Sequence, residues 1–151
     1  SDSLADAAFR AGNDVKKSEI HGMSQRGGSV SSDVRYGPLV FSPMAPEGEA
    51  DYLVVLHPTQ VENNRYVLRP GGILLSTSLL PGVTDDLAVL DNDNGTPLTQ
   101  RNFNVGLLGS LSTYLDIPRD LWLEAIRANL PEKVHTQNVE AFDFGMTLAK
   151  Q

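Results

Sequence analysis

Two short apolar runs, Tyr52-Leu53-Val54-Val55-Leu56 and Ile73-Leu74-Leu75-Ser76-Thr77, do more than any other feature to limit how this chain folds. Each is far too short to cross a membrane, and neither alternates, so both read as strands buried on two faces. His57-Pro58 ends the first run. Thr59-Gln60-Val61-Glu62 then has the capping-box spacing, in which Thr and Glu satisfy each other's free backbone N–H groups, and predicts a helix start. Arg69-Pro70-Gly71-Gly72 breaks that helix before the second run. Strand, helix, Pro-Gly-Gly, strand is a βαβ unit with a right-handed crossover, which puts the chain in the α/β class. With 151 residues, 40% of them hydrophobic, there is material for one domain with a single core.

The flanking segments fit around that unit. Leu4, Ala7, Ala8 and Ala11 form an apolar helical stripe that Gly12-Asn13 stops. Val30, Ser32, Val34 and Tyr36 alternate with polar neighbours and predict a strand. Tyr36-Gly37-Pro38 should turn that strand back into Leu39-Val40-Phe41 as an antiparallel hairpin. Leu87 to Leu90 is expected to be a short strand, and Asp91-Asn92-Asp93-Asn94-Gly95 a surface turn. Three helices follow: one with Val105, Leu108, Leu111 and Leu115 on a face, one from Pro118 or Arg119 with Leu121, Trp122, Ala125 and Ile126, and one carrying Val139, Phe142 and Met146.

Charge and cysteine content then exclude several classes of function. Lys plus Arg number 12 and Asp plus Glu 19, a net charge of -7. A diffuse acidic surface lacks the clustered positive charge that nucleic acids and anionic membranes require. Without cysteine the chain alone can supply no disulfide, thiolate nucleophile, Cys-ligated zinc or iron–sulfur cluster. Asp91 to Gly95 matches a calcium loop for five residues only, and Asn102 stands where the bidentate Glu should be. His21, His57 and His135 are far apart and share no helical metal spacing. No metal site is expected and no catalytic residue can be assigned. No apolar run approaches the ~18 residues of a membrane span, and no signal peptide opens the chain, so the expected compartment is the cytoplasm.

One segment concentrates chemistry. Lys16 to Ser29 holds two lysines, Glu19, His21, Gln25, Arg26 and the pair Gly27-Gly28. Consecutive glycines let backbone N–H groups converge on an anion, and Arg26 can add a bidentate fork for phosphate or carboxylate. Glu19 and His21 can exchange protons or orient a cofactor. Glu19, His21, Gln25, Arg26, Gly27 and Gly28 are therefore the candidate cofactor-binding residues. The plainer reading is that Gly-Gly makes a turn, Arg26 pairs with an acid and His21 is structural.

The run Val15 to Val30, with its core His21-Gly22-Met23-Ser24-Gln25-Arg26-Gly27-Gly28, resembles the signature loop of the gamma-type subunit of 2-oxoacid:ferredoxin oxidoreductases. Its nearest pattern there is the indolepyruvate branch's beta subunit. Phe41-Ser42-Pro43, Gly48-Glu49-Ala50-Asp51, Leu68-Arg69-Pro70-Gly71-Gly72, Asn104 to Ser112 and Asn138 to Gly145 follow in family order. Sister branches acting on pyruvate or 2-oxoglutarate usually read Tyr- or Phe-Gly-Pro-Glu in place of His21 to Ser24, which favours an arylpyruvate substrate.

The resemblance implies a three-layer α/β/α domain with a mixed, mostly parallel sheet. It also implies a subunit, inactive alone, of an enzyme that oxidatively decarboxylates a 2-oxoacid to acyl-CoA and passes electrons to ferredoxin. Thiamine diphosphate and iron–sulfur clusters would sit in partner subunits. Family members open with a strand and a glycine-rich turn before the helix that here starts the chain. Residues 1–151 are accordingly expected to form a single gamma-type domain lacking its first strand, N-terminally truncated and with residues missing after Pro81. Two other classes compete: a stand-alone nucleotide- or coenzyme-binding module, and an assembly subunit whose loop is structural. Direct titration with coenzyme A separates the first, and loop mutation in the assembled complex the second.

Overall fold

The computed structural model describes residues 2–21, 30–38, 40 and 47–149, with backbone only for 17–21 and 30–32. Its elements are α1 (Asp2–Arg10), β1 (Asp14–His21), β2 (Val30–Gly37), β3 (Ala50–Val55), α2 (Val61–Asn64), β4 (Leu68–Ser76), α3 (Phe103–Ser112), α4 (Arg119–Asn129) and α5 (His135–Leu148). The mixed α/β expectation is met. The strands are divided between an antiparallel pair, β1–β2, and a parallel pair, β3–β4. The chain resolves into two compact units, 1–45 with 117–129, and 46–116 with 130–151.

In the first unit, α1 packs on α4. Ala7 and Ala8 are fully buried on one helix, and Trp122, Ala125 and Ile126 on the other. These side chains fall at i, i+3 and i+4 spacings, the stripe that removes most apolar area from water per turn. Trp122 donates its indole N–H to the Ile117 carbonyl at 3.1 Å, so its polar end is satisfied within the core. Polar contacts tie the same helices at their margins, with Asn129 donating to Asp6 at 3.0 Å.

The second unit is built on β3 and β4. Tyr52 to Val55 pair in register with Ile73 to Ser76, as the βαβ reading requires. Four details differ from expectation. Arg69-Pro70-Gly71-Gly72 does not end a helix but bulges within β4, between the pairs Ala50–Leu68 and Tyr52–Ile73. Gly71 supplies the bulge's left-handed backbone at φ +77°, and Arg69 reaches Asp51 at 2.7 Å. The capping box is not formed: His57 Nδ1 accepts from the Thr59 N–H at 3.3 Å and starts a 3-10 turn, while Glu62 pairs with Arg65 at 2.9 Å. Helix α2 consequently spans one turn. Tyr52 and Leu56 are exposed rather than buried on both faces, and Tyr52 instead packs against Tyr114 with ring centroids 6.1 Å apart. Leu87–Asp91 is a 3-10 turn, not a strand, because Asp86 caps it through the Ala88 N–H at 2.9 Å.

The core of this unit gathers Leu80, Leu90, Leu98, Phe103, Leu107 and Ala141. Helices α3 and α5 meet through glycine. A Cβ on Gly109 would overlap the Phe142 carbonyl oxygen, and one on Gly145 would overlap the Gly106 carbonyl oxygen. The buried Ser110 hydroxyl donates to the Gly145 carbonyl at 2.7 Å across that contact. No helix of the described residues is long and apolar enough to cross a membrane.

Candidate functional site

The sequence from Val15 onward, read as a loop, begins as a strand. β1 and β2 form an antiparallel ribbon whose Cα partners run from Asp14–Gly37 to His21–Val30. Glu19 lies opposite Ser32, and His21 is the last residue of β1, so both occupy the end of the ribbon next to the segment 22–29. Gln25, Arg26, Gly27 and Gly28 lie outside the described residues, as do Leu39 and Phe41. The ribbon's geometry thus fixes the backbone of two of the six candidate residues.

The opposite end of the ribbon is anchored by contacts that the sequence reading missed. Helix α1 stops at Gly12, whose φ of +92° is left-handed, and the Asn13 side chain donates to the Ala8 carbonyl at 3.0 Å. The chain then enters β1 at Asp14. One oxygen of this carboxylate accepts the Val40 N–H at 2.9 Å, and the other accepts the Lys16 ammonium at 3.2 Å. The Val40 N–H, helped by Lys16, holds the Asp14 carboxyl below its usual range.

The anchor also bears on the predicted hairpin, of whose returning arm only Val40 lies within the described residues. Pro38 carries no N–H, and the N–H of Val40 is taken by Asp14. β1 is the strand seen to pair with β2. The only signal for this was an acid two residues before a lysine, which is common and carries little information.

Among the described residues, no three His, Cys, Asp or Glu side chains are grouped so as to hold a metal. The aspartates of the Asp91 to Gly95 turn have local work: Asp91 accepts from the Gln100 side chain at 2.6 Å and Asp93 from the Gly95 N–H at 3.3 Å.

An antiparallel ribbon in one unit and a parallel strand pair in the other are compatible with many chemistries, since a fold does not by itself assign a function. Comparison with known proteins decides the family. The model of the pyruvate ferredoxin/flavodoxin oxidoreductase family matches residues 1–148. The chain belongs to that family. Similar members include the indolepyruvate oxidoreductase subunit IorB of Thermococcus kodakarensis, 32% identical over 96% of this chain and 86% of that protein. The subunit of the same name from Pyrococcus horikoshii is 31% identical over the same shares. Each of these alignments runs over 175 positions against 151 residues here, so the relatives carry residues inside the matched span that this oxidoreductase-family chain lacks.

The fold is that of the family's gamma subunits. The keto/oxoacid ferredoxin oxidoreductase gamma subunit from Geobacter sulfurreducens superposes with a TM-score of 0.74 at 22% identity, over 98% of this chain and 88% of that one. The 2-oxoglutarate:ferredoxin oxidoreductase from Magnetococcus marinus, solved with 2-oxoglutarate, coenzyme A and succinyl-CoA bound, gives 0.72 at 23% identity. There 99% of this chain covers 28% of a much longer one.

Proposed function

We propose that this chain is a cluster-free subunit of a cytoplasmic 2-oxoacid:ferredoxin oxidoreductase acting on an arylpyruvate such as indolepyruvate. The observation that carries the reading is the family match over residues 1–148, joined by relatives that are indolepyruvate oxidoreductase subunits at 31–32% identity. The reaction cleaves the bond between the 2-oxoacid's carboxylate and its carbonyl carbon, releases carbon dioxide and joins the acyl group to the coenzyme A thiol. Two electrons leave the substrate for two one-electron acceptors of the ferredoxin type, and the thiol proton is released.

Iron–sulfur chemistry does not fit this chain's own donors, because it has no cysteine. The clusters and the thiamine diphosphate, which supplies the carbanion-stabilising chemistry, are assigned to partner subunits. The chain's own contribution is the ribbon-borne segment from Glu19 to Gly28. Arg26 and the Gly27-Gly28 backbone suit a coenzyme or cofactor phosphate brought to it at a subunit junction. Glu19, His21 and Gln25 provide polar contacts there. In this reading residues 1–151 act together as one gamma-type domain.

Co-expression with a thiamine-diphosphate-binding partner, followed by a coenzyme A-dependent assay with ferredoxin or a dye, tests the proposal. Turnover should require both chains, and kcat/KM should be higher for indolepyruvate than for pyruvate or 2-oxoglutarate. Turnover by this chain alone would overturn the subunit reading. A preference for pyruvate or 2-oxoglutarate would overturn the arylpyruvate assignment and leave the subunit reading intact.

A further inference from the structure

The second unit contains a cavity of about 240 Å³ that the proposed role does not use. It lies at the carboxyl ends of the parallel strands, since Ser76 closes β4 and Pro58 follows β3 by three residues. Ligands of open α/β sheets bind outside the carboxyl ends of the strands. Ser76 and Thr77 line it and are buried, at 7% and 2% exposure. The Ser76 hydroxyl is engaged, 2.8 Å from the Ser78 hydroxyl and accepting the Ser78 N–H at 3.3 Å. The Thr77 hydroxyl, although almost fully buried, has no hydrogen-bond partner among the described residues. A buried hydroxyl without a partner costs stability unless something else meets it.

The remaining lining narrows what that could be. Pro58, Val61 and Val83 contribute apolar surface, while Thr84 and Asp85 add exposed polar groups. Among the described residues no lysine, arginine or histidine lines the cavity and the one charge is the Asp85 carboxylate, so a phosphate or carboxylate ligand would meet repulsion. A cation is also poorly served, because that carboxylate is exposed and the buried lining residues, Ser76 and Thr77, carry neutral hydroxyls. Hydroxyls that both donate and accept, a carboxylate that accepts two hydrogen bonds, and apolar surface match a neutral ring with adjacent hydroxyls and C–H faces. The volume suits a single ring rather than a dinucleotide.

We propose that this cavity binds a vicinal diol on a five-membered sugar ring, either a free pentose or the ribose of a nucleoside. Thr77 and Asp85 would hydrogen-bond the diol, with Pro58 and Val61 against the ring. The site is independent of the oxidoreductase reading and needs no turnover to be seen.

The test is titration of the purified chain with adenosine, D-ribose, 2′-deoxyadenosine and inorganic phosphate, followed by the amide NMR shifts of Thr77, Ser78 and Asp85. Adenosine or D-ribose should give saturable shifts, and 2′-deoxyadenosine should bind about tenfold more weakly, the loss of one good hydrogen bond. Phosphate should give none. Tighter binding of adenosine than of D-ribose identifies a nucleoside; equal binding identifies the free sugar. Asp85→Asn, at an exposed position, and the near-isosteric Thr77→Val should each weaken binding about fivefold or more without lowering the melting temperature of the free chain. Absence of saturable shifts with both diols, equal affinity for the deoxy compound, or unchanged affinity in both variants would overturn the proposal.

Discussion

The α3–α5 pair and the β1–β2 ribbon both carry runs that resemble the family, yet for different physical reasons. In the helix pair, Gly106, Gly109 and Gly145 bring two backbones together closely enough that no side chain fits between them. Phe142 and Leu107 are fully buried beside that contact, and the Ser110 hydroxyl bridges it. The residue types there are dictated by packing, and no ligand is needed to account for them. In the ribbon, Asp33 to Gly37 are only half-buried, and the backbone ladder holds the shape. Packing leaves side-chain choice open at those positions, and the proposed function assigns the histidine, arginine and glycines of the adjoining segment to contacts outside the chain. On the proposed function, the same resemblance records a stability constraint in one region and a functional one in the other.

The contrast breaks most easily at Gly145. Gly145→Ala places a methyl against the Gly106 carbonyl, which is backbone and cannot swing away. Overpacking of this kind costs about 3 kcal/mol or more. At roughly 2–4 °C per kcal/mol for a chain of this size, the melting midpoint should fall by about 10 °C. Thermal denaturation followed by circular dichroism measures it. A midpoint within about 2 °C of the parent would mean that α3 and α5 are not in backbone contact, and the packing explanation for both runs would fall.

Arg26→Ala sharpens the other side. It should leave the melting midpoint unchanged and lower affinity or rate of the complete oxidoreductase complex about ten- to a hundredfold, the loss of one charge-assisted contact of roughly 1.5–3 kcal/mol. Arg26→Lys should recover only part, because an ammonium lacks the planar fork. Steady-state kinetics decides this, with gel filtration to confirm assembly. Parent-like kinetics would return the segment to a structural turn. Lost assembly without a kinetic defect in the remaining complex would make it an interface element.

These two regions also differ in how much of them could be read beforehand. Helices α4 and α5 were legible because Trp122, Ala125, Ile126 and Phe142 repeat with the helical period and are buried where that period puts them. β3 and β4 were legible as apolar runs flanked by proline and glycine. β1 was not: Lys16-Lys17-Ser18-Glu19 has no apolar alternation, and it becomes a strand only through its register with β2. The 3-10 turn at Leu87–Asp91 was hidden similarly, because its cap is Asp86, one acid among several in that stretch. The capping box failed for a local reason, since His57, three residues ahead of Gln60, captured the Thr59 N–H first. Contact between α3 and α5 was visible as glycines in two resembling runs, but nothing in sequence pairs Gly109 with Phe142 or Gly145 with Gly106. The six candidate residues were identified by chemistry, and the anchor that positions their strand, Asp14 to Val40, depends on a contact across 26 positions.

The smallest expected effect concerns that anchor, and it tests whether hydrogen bonding rather than packing sets the ribbon. Asp14 has a folded-state pKa below its ordinary value, chiefly because its carboxylate accepts the Val40 N–H and secondarily because Lys16 donates to it. A carboxylate with a depressed folded pKa binds fewer protons folded than unfolded near that pH. Its stabilisation is therefore complete above the unfolded value of about 3.9 and disappears as pH falls through the lower folded value. Asp14→Asn removes the charge and with it this dependence. The variant should melt slightly below the parent at pH 7, and the gap should narrow as the pH drops from about 4 toward 2. Melting curves of the two proteins at matched ionic strength across pH 2–7 provide the check, because subtraction cancels every other carboxylate. A gap that stays constant down to the lowest pH would show that Asp14 acts through its shape alone. The ribbon would then be held in place by packing, as the helix pair is, and the distinction between the two regions would no longer rest on hydrogen bonding.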